Sequence, residues 1–108
     1  MDPSTVHFMQ SSAKNQTGDY TVLGNAESLK SGTLDANVLR AKVWKDSSGK
    51  IWTLDHRRLA AFKLAKKCMP ITWASAQEVD QQMWKMSTKN GGTSMRLKLG
   101  NGQSTVVK

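Results

Sequence analysis

The stretch VWKDSSGKIWTLDHRRLAAFKLAKK, residues 43–67, decides the fold class. Val43-Trp44 and Ile51-Trp52-Thr53 are β-prone runs on either side of Asp46-Ser47-Ser48-Gly49-Lys50, a polar linker containing a glycine. That order predicts a β-hairpin. Leu59, Phe62 and Ala65 then recur at helical spacing, with Ala61 and Leu64 beside them, which predicts a helix over Leu54–Lys67. Asp55 suits the N-cap. Lys63, Lys66 and Lys67 load the last turn, where the helix dipole favours cations, and Pro70 forbids continuation.

Working outward, Ile71–Trp73 reads as a strand, and Ser75 caps a second helix running through Met86. Glu78, three residues after Ser75, completes a capping box. Val79, Met83 and Met86 supply the apolar face of that helix. Asn90-Gly91-Gly92 is a turn, and Met95–Leu99 alternates apolar and basic residues, the pattern of a half-buried strand. Gly100-Asn101-Gly102 turns it back into Ser104–Val107, a second hairpin. On the other side, Val6–Met9 reads as a short strand, Gln10–Gly18 as a polar loop and Asp19–Leu23 as a strand. Asn25–Ser31 reads as a helix capped by Asn25 and ended by Gly32, and Thr33–Leu39 adds another helical turn. The expectation is one small α+β domain over residues 1–108, with two β-hairpins and two main helices.

The 108 residues suit a single core, and 38% hydrophobic content suffices to build it. The formal net charge of +8 calls for an anionic partner: RNA, DNA, an anionic membrane or an acidic protein. Cys68 is the only cysteine, so neither an intrachain disulfide nor a zinc site on paired cysteines is available. No apolar run approaches the roughly 20 residues that span a bilayer. Met1-Asp2-Pro3 opens polar with no apolar run after it, so no signal peptide is expected. The same start equally fits a piece of a longer protein.

The chemistry concentrates at the start of the helix after the first hairpin. His56, Arg57 and Arg58 occupy its first turn, where cations oppose the dipole and stability alone would not select two arginines. Free N–H groups at that end favour an anion, and two guanidinium forks plus an imidazole make a phosphate-binding arrangement. The plainer alternative is that the arginines are solvated, or pair with Asp55 and Asp46, while His56 packs. His7 is the only other histidine; two histidines can divide the base and acid roles in metal-free RNA cleavage, where the 2′-OH attacks the neighbouring phosphate. The eight carboxylates contain no close pair resembling a nuclease metal site, so no metal ligands and no cofactor are expected. Ser11, Ser12 and Lys14 in the first polar loop, and Lys89, Thr93, Ser94 and Arg96 in the basic C-terminal segment, are candidates for backbone contacts to nucleic acid. An ordinary basic edge hairpin explains the latter equally well. The four tryptophans can stack bases, although strand and helix positions place most of them in a core. Cys68 reads as structural.

The run Ile51–Phe62 (IWTLDHRRLAAF) resembles a segment of the C-terminal toxin domains of bacterial polymorphic toxins, the contact-dependent growth inhibition and Rhs-type effectors. Val6–Ser12 (VHFMQSS), Leu29–Thr33 (LKSGT) and Lys89–Ser94 (KNGGTS) are similar to the same family in the same order. The resemblance implies a nuclease toxin at the tip of a larger exported protein, acting in the cytoplasm of a target bacterium and neutralised by a cognate immunity protein. Several members of the family are tRNases, and some use elongation factor Tu. The family's Asp-His/Asn-Arg-Arg core maps onto Asp55, His56, Arg57 and Arg58; the allowance for Asn weakens a sole-base role for His56. The same helix start also resembles the ParB-like nuclease fold, which keeps DNA as a substrate. The reading reached is a metal-independent ribonuclease, most directly against tRNA. In it His56 transfers a proton, Asp55 orients the site, Arg57 and Arg58 hold the scissile phosphate, and the flanking loops hold the adjoining backbone. The alternatives are a non-catalytic nucleic-acid-binding module, a DNase, or a toxin that blocks an acidic protein.

Overall fold

In a computed structural model describing residues 1–108, short strands and helices succeed one another along the chain. They are β1 (Val6–His7), β2 (Ser12–Lys14), β3 (Gln16–Thr17), β4 (Tyr20–Thr21), α1 (Val22–Ser31), β5 (Ala41–Lys45), β6 (Ile51–Thr53), α2 (His56–Ala65), β7 (Ile71–Trp73), α3 (Ala76–Gln82), β8 (Met95–Gly100) and β9 (Gln103–Val107). Single 3₁₀ turns cover Pro3–Thr5, Ala36–Leu39 and Met83–Lys85. The α+β expectation holds. Both expected hairpins form, β5 with β6 and β8 with β9, but each is embedded in a larger sheet. The first lies in a four-stranded sheet of order β1-β6-β5-β7, and the second in a three-stranded sheet of order β2-β8-β9; β3 and β4 make a separate ribbon.

Local chemistry explains the hairpins. Asp46 builds the β5–β6 turn: its Oδ1 accepts from the Ser48 and Lys50 amides, both at 2.9 Å, and its Oδ2 accepts from the Trp52 indole at 3.0 Å. Those donors, the Trp52 N–H foremost, hold its carboxyl well below the usual carboxylate range. The β8–β9 turn places Asn101 at φ 54° and Gly102 at φ 75°, the two consecutive positive values that a tight turn matching strand twist requires. Along β8, burial alternates: Met95 and Leu97 face inward, Arg96 and Lys98 outward.

Several boundaries differ from the sequence expectation. The expected loop Gln10–Gly18 contains β2 and β3, because Ser12–Lys14 pairs in parallel with Arg96–Lys98. Thr21, not Asn25, caps α1, its hydroxyl accepting from the Gly24 amide at 2.9 Å, so the helix starts before Asn25. Gly32 ends α1 as expected, in the left-handed conformation at φ 81°. α2 is shorter at both ends and stops at Lys66, itself left-handed at φ 56°. The Ser75–Glu78 capping box is present, yet α3 ends at Gln82 and no α3 residue is buried. Met83 and Met86, expected on an apolar helix face, lie outside α3 and are exposed.

The core lies between α1, α2 and the sheets. Val22, Ala26 and Leu29 of α1 meet Leu59, Ala60, Ala61, Phe62 and Ala65 of α2, with Phe8, Val43, Met95 and Leu97 closing the cluster. The expected stripe Leu59–Phe62–Ala65 is therefore the buried face. A smaller cluster of Met9, Trp52 and Leu54 lies beside it, with Trp44 packed against it. Phe8, Met9 and Gly92 bind the N-terminal segment to the C-terminal one: the Phe8 amide donates to the Gly92 carbonyl, and the Ser87 and Thr88 amides donate to the Met9 carbonyl. No helix is long and apolar enough to cross a membrane.

Candidate functional site

β6 leads straight into α2, so residues 54–58 sit where the four-stranded sheet hands over to the core helix. Asp55 occupies the N-cap position, and its carbonyl accepts the first helical hydrogen bond from the Leu59 amide at 3.0 Å. Its side chain does not cap. Oδ2 instead accepts from the Lys42 amide of β5 at 2.7 Å, and no side chain caps the first-turn N–H groups. The expected capping role is thereby corrected: the carboxylate ties the hairpin to the helix start, and the positive end of α2 stays uncapped.

His56 is almost fully buried, with 4% of its surface exposed. Its Nε2 accepts from the Met9 amide at 3.1 Å and the Gln10 amide at 3.2 Å. An imidazole nitrogen that accepts from two N–H groups carries no proton, so the neutral tautomer with the proton on Nδ1 follows. Burial, followed by the Lys85 and Arg57 charges, pushes its pKa down to about 3. Its ring stacks on Phe8 at 6.5 Å between centroids. The structure gives His56 a positioning task, holding the turn after β1 against the first turn of α2. His7 is occupied elsewhere: its Nδ1 donates to the Ile51 carbonyl at 3.0 Å, and its ring lies 5.8 Å from that of Trp52. The two histidines are not presented to one cleft.

Arg57 and Arg58 are exposed at the helix start. Arg58 donates to the Arg40 carbonyl at 2.6 Å, which steadies one guanidinium. Neither arginine pairs with Asp55 or Asp46; the only ion pair in the structure joins Lys42 to Glu78. Both line a cleft of about 460 Å³ with Asp55, Gln10, Trp84 and Lys85. Lys85 donates to the Leu54 carbonyl at 3.2 Å, which fixes its ammonium beside the cleft. Lys85 opens the basic C-terminal segment, and sequence reading does not join it to Arg57 and Arg58, because Met83–Lys85 is a surface 3₁₀ turn that only tertiary packing brings to α2.

A second concavity, of about 380 Å³, gathers Ser11, Ser12, Lys89, Ser94 and Arg96 with Lys98. Most of the backbone-contact candidates thus converge, although the two groups lie far apart in sequence. The parallel β2–β8 pairing and the Ser11 amide donating to the Ser87 hydroxyl bring them together. Lys14 and Thr93 do not join them: Lys14 is exposed opposite Lys98 in the ladder, and the Thr93 hydroxyl donates to the Asn90 carbonyl at 3.1 Å. Gln10 and Ala13 line the arginine cleft while Ser11 and Ser12 line this one, so residues 10–13 form the divide between them.

The tryptophans divide. Trp52 is buried and Trp44 stacks on it at 6.1 Å, but Trp73 and Trp84 are exposed, against the expectation that most pack inside. Cys68 is exposed and free. No three His, Cys, Asp or Glu side chains converge closely enough to hold a metal ion. No family model, no curated protein and no solved structure matches this chain.

Proposed function

We propose that this chain is a toxin domain that binds and cleaves RNA, tRNA foremost, at the cleft where α2 begins. The observation that carries this reading is the convergence of Arg57, Arg58 and Lys85 on the uncapped, positive end of α2. Three cations and a helix N-terminus in one cleft match a phosphodiester in charge and in hydrogen-bond donors. The sequence resemblance adds the biological setting: delivery into a neighbouring bacterium as part of an exported protein, a cognate immunity protein and, as in some members of the family, use of elongation factor Tu.

Arg57 and Arg58 hold the phosphate and offset the charge that grows on its oxygens during attack. His56 positions rather than transfers a proton, since its Nε2 is committed to two amides. Asp55 is the available acceptor: it lines the cleft and uses Oδ2 on Lys42, leaving Oδ1 without a protein donor. In the step, the 2′ oxygen bonds to phosphorus as its proton passes to the Asp55 carboxylate. The bond from phosphorus to the 5′ oxygen breaks, that oxygen takes a proton from water, and a 2′,3′-cyclic phosphate remains.

Purified chain incubated with total tRNA in EDTA, with and without elongation factor Tu, is expected to produce discrete cleavage. Arg57→Ala and Asp55→Asn are expected to abolish it while the far-ultraviolet spectrum and thermal melt of each variant stay those of the wild type. Intact tRNA under both conditions, with DNA cut in magnesium instead, would overturn the reading. The committed Nε2 of His56 favours one second reading, a module that binds nucleic acid without turnover; salt-sensitive tRNA binding with no cleavage would establish it.

A further inference from the structure

Arg57 and Arg58 border two cavities. Besides the cleft shared with Lys85, they line a second concavity of about 450 Å³, formed with Tyr20, Asn25, Val38 and Leu39. Its lining comes from α1, the 3₁₀ turn at Ala36–Leu39 and the β3–β4 ribbon. Tyr20 in that lining is 71% exposed and belongs to neither core cluster. In the cleft shared with Lys85, Trp84 is 74% exposed. These are the two most exposed aromatic side chains of the protein, and each borders one of the two cavities that share the arginines. Isolated surface aromatics need no explanation. Two exposed aromatics, one in each of two cavities that share the same arginine pair, have the form of two stacking platforms about one phosphate.

We propose that the chain takes an unpaired RNA segment, with one phosphate on Arg57 and Arg58 and the two bases flanking that phosphate in the Tyr20 and Trp84 cavities. This rests on the RNA reading above and adds the form of the substrate. A duplex cannot satisfy the arrangement, because its base faces are covered by their neighbours and only splayed bases reach protein aromatics. The Tyr20 side also offers base-edge contacts. Asn15 lines that cavity, and its Oδ1 accepts from the Leu23 amide at 3.1 Å, which leaves its N–H₂ to donate. Asn25 has no protein hydrogen-bond partner for its side chain and supplies both a donor and an acceptor.

The test uses the full chain and short fluorescent 2′-O-methyl RNAs, which lack the attacking hydroxyl and persist during binding. A single strand is expected to bind at least about tenfold more tightly than a hairpin stem of the same composition. Tyr20→Ala and Trp84→Ala are each expected to weaken the single strand about tenfold, leaving stem affinity and salt dependence unchanged. Both side chains are exposed, so the variants keep the fold. Equal affinity for stem and strand, or wild-type affinity in both alanine variants, overturns the inference while leaving the RNA reading standing. No binding of any RNA by the wild-type chain overturns both.

Discussion

Replacing His56 by Gln is expected to flatten the acid sensitivity of the fold. In the folded chain His56 is held neutral, with its pKa near 3 against an ordinary 6.5. The unfolded chain therefore takes up a proton at pH values where the folded chain does not. Stability from this group is complete above pH 6.5 and is lost as pH falls towards 3. Each pH unit in that window costs about 1.4 kcal/mol. Moving from pH 7 to 4.5 crosses two units of it, or about 3 kcal/mol, a large share of the roughly 5–15 kcal/mol that holds a small domain folded. Asp2, Asp46 and Glu78 are also held below their ordinary values, and they too lose stability as pH falls, but in a lower window. A Gln amide oxygen can still accept from the Met9 and Gln10 amides and does not titrate. Urea melts at pH 7, 6, 5.5, 5 and 4.5 should show the wild type losing about 3 kcal/mol relative to His56→Gln. His56→Phe keeps the ring and removes the acceptor, leaving two amides unpaired at a cost of about 2–4 kcal/mol at pH 7. Parallel pH profiles for the wild type and His56→Gln, or equal stability of the Gln and Phe variants at pH 7, would refute the neutral, doubly accepting imidazole.

Gly92→Ala should destabilise the chain by about 3 kcal/mol in urea melts. Gly92 sits at φ 77°, and an added Cβ would lie 2.5 Å from the Phe8 carbonyl oxygen and 2.8 Å from the Trp52 ring. Phe62→Ala should cost about 3–5 kcal/mol by thermal or chemical denaturation, since Phe62 is wholly buried between α1 and the sheets. Arg57→Ala should lower the salt dependence of tRNA binding by about one phosphate's worth, read as the slope of log affinity against log salt; an unchanged slope would remove Arg57 from the phosphate contact.

Elements whose signals are local were legible in the chain. The β5–β6 hairpin, the Leu59–Phe62–Ala65 face, the Ser75–Glu78 capping box, the stop at Gly32 and the alternation along β8 all depend on residues a few positions apart. The cationic first turn of α2 was legible for the same reason: Arg57 and Arg58 break the dipole rule where they stand. Local propensity does not fix the start of α1, because Thr21 and Asn25 are both acceptable caps and only the fold selects Thr21. α3 ends at Gln82, short of the expected Met86, because an exposed helix has no packed face to hold its last turn.

Amino-acid order alone determined the α+β class, the buried face of α2 and the placing of two arginines at a helix N-terminus. It did so because capping, turn geometry and periodicity are short-range. Tertiary structure decided what those arginines face. The parallel pairings of β1 with β6, β5 with β7 and β2 with β8 join segments with no shared local pattern. Only that assembly turns the Asp55 carboxylate to the Lys42 amide, 13 residues away, and gives the His56 Nε2 to amides 46 and 47 residues away. A buried imidazole between two N–H donors stays neutral down to about pH 3, whereas an exposed one charges near 6.5; the difference is burial and partners, which no stretch of sequence near His56 contains.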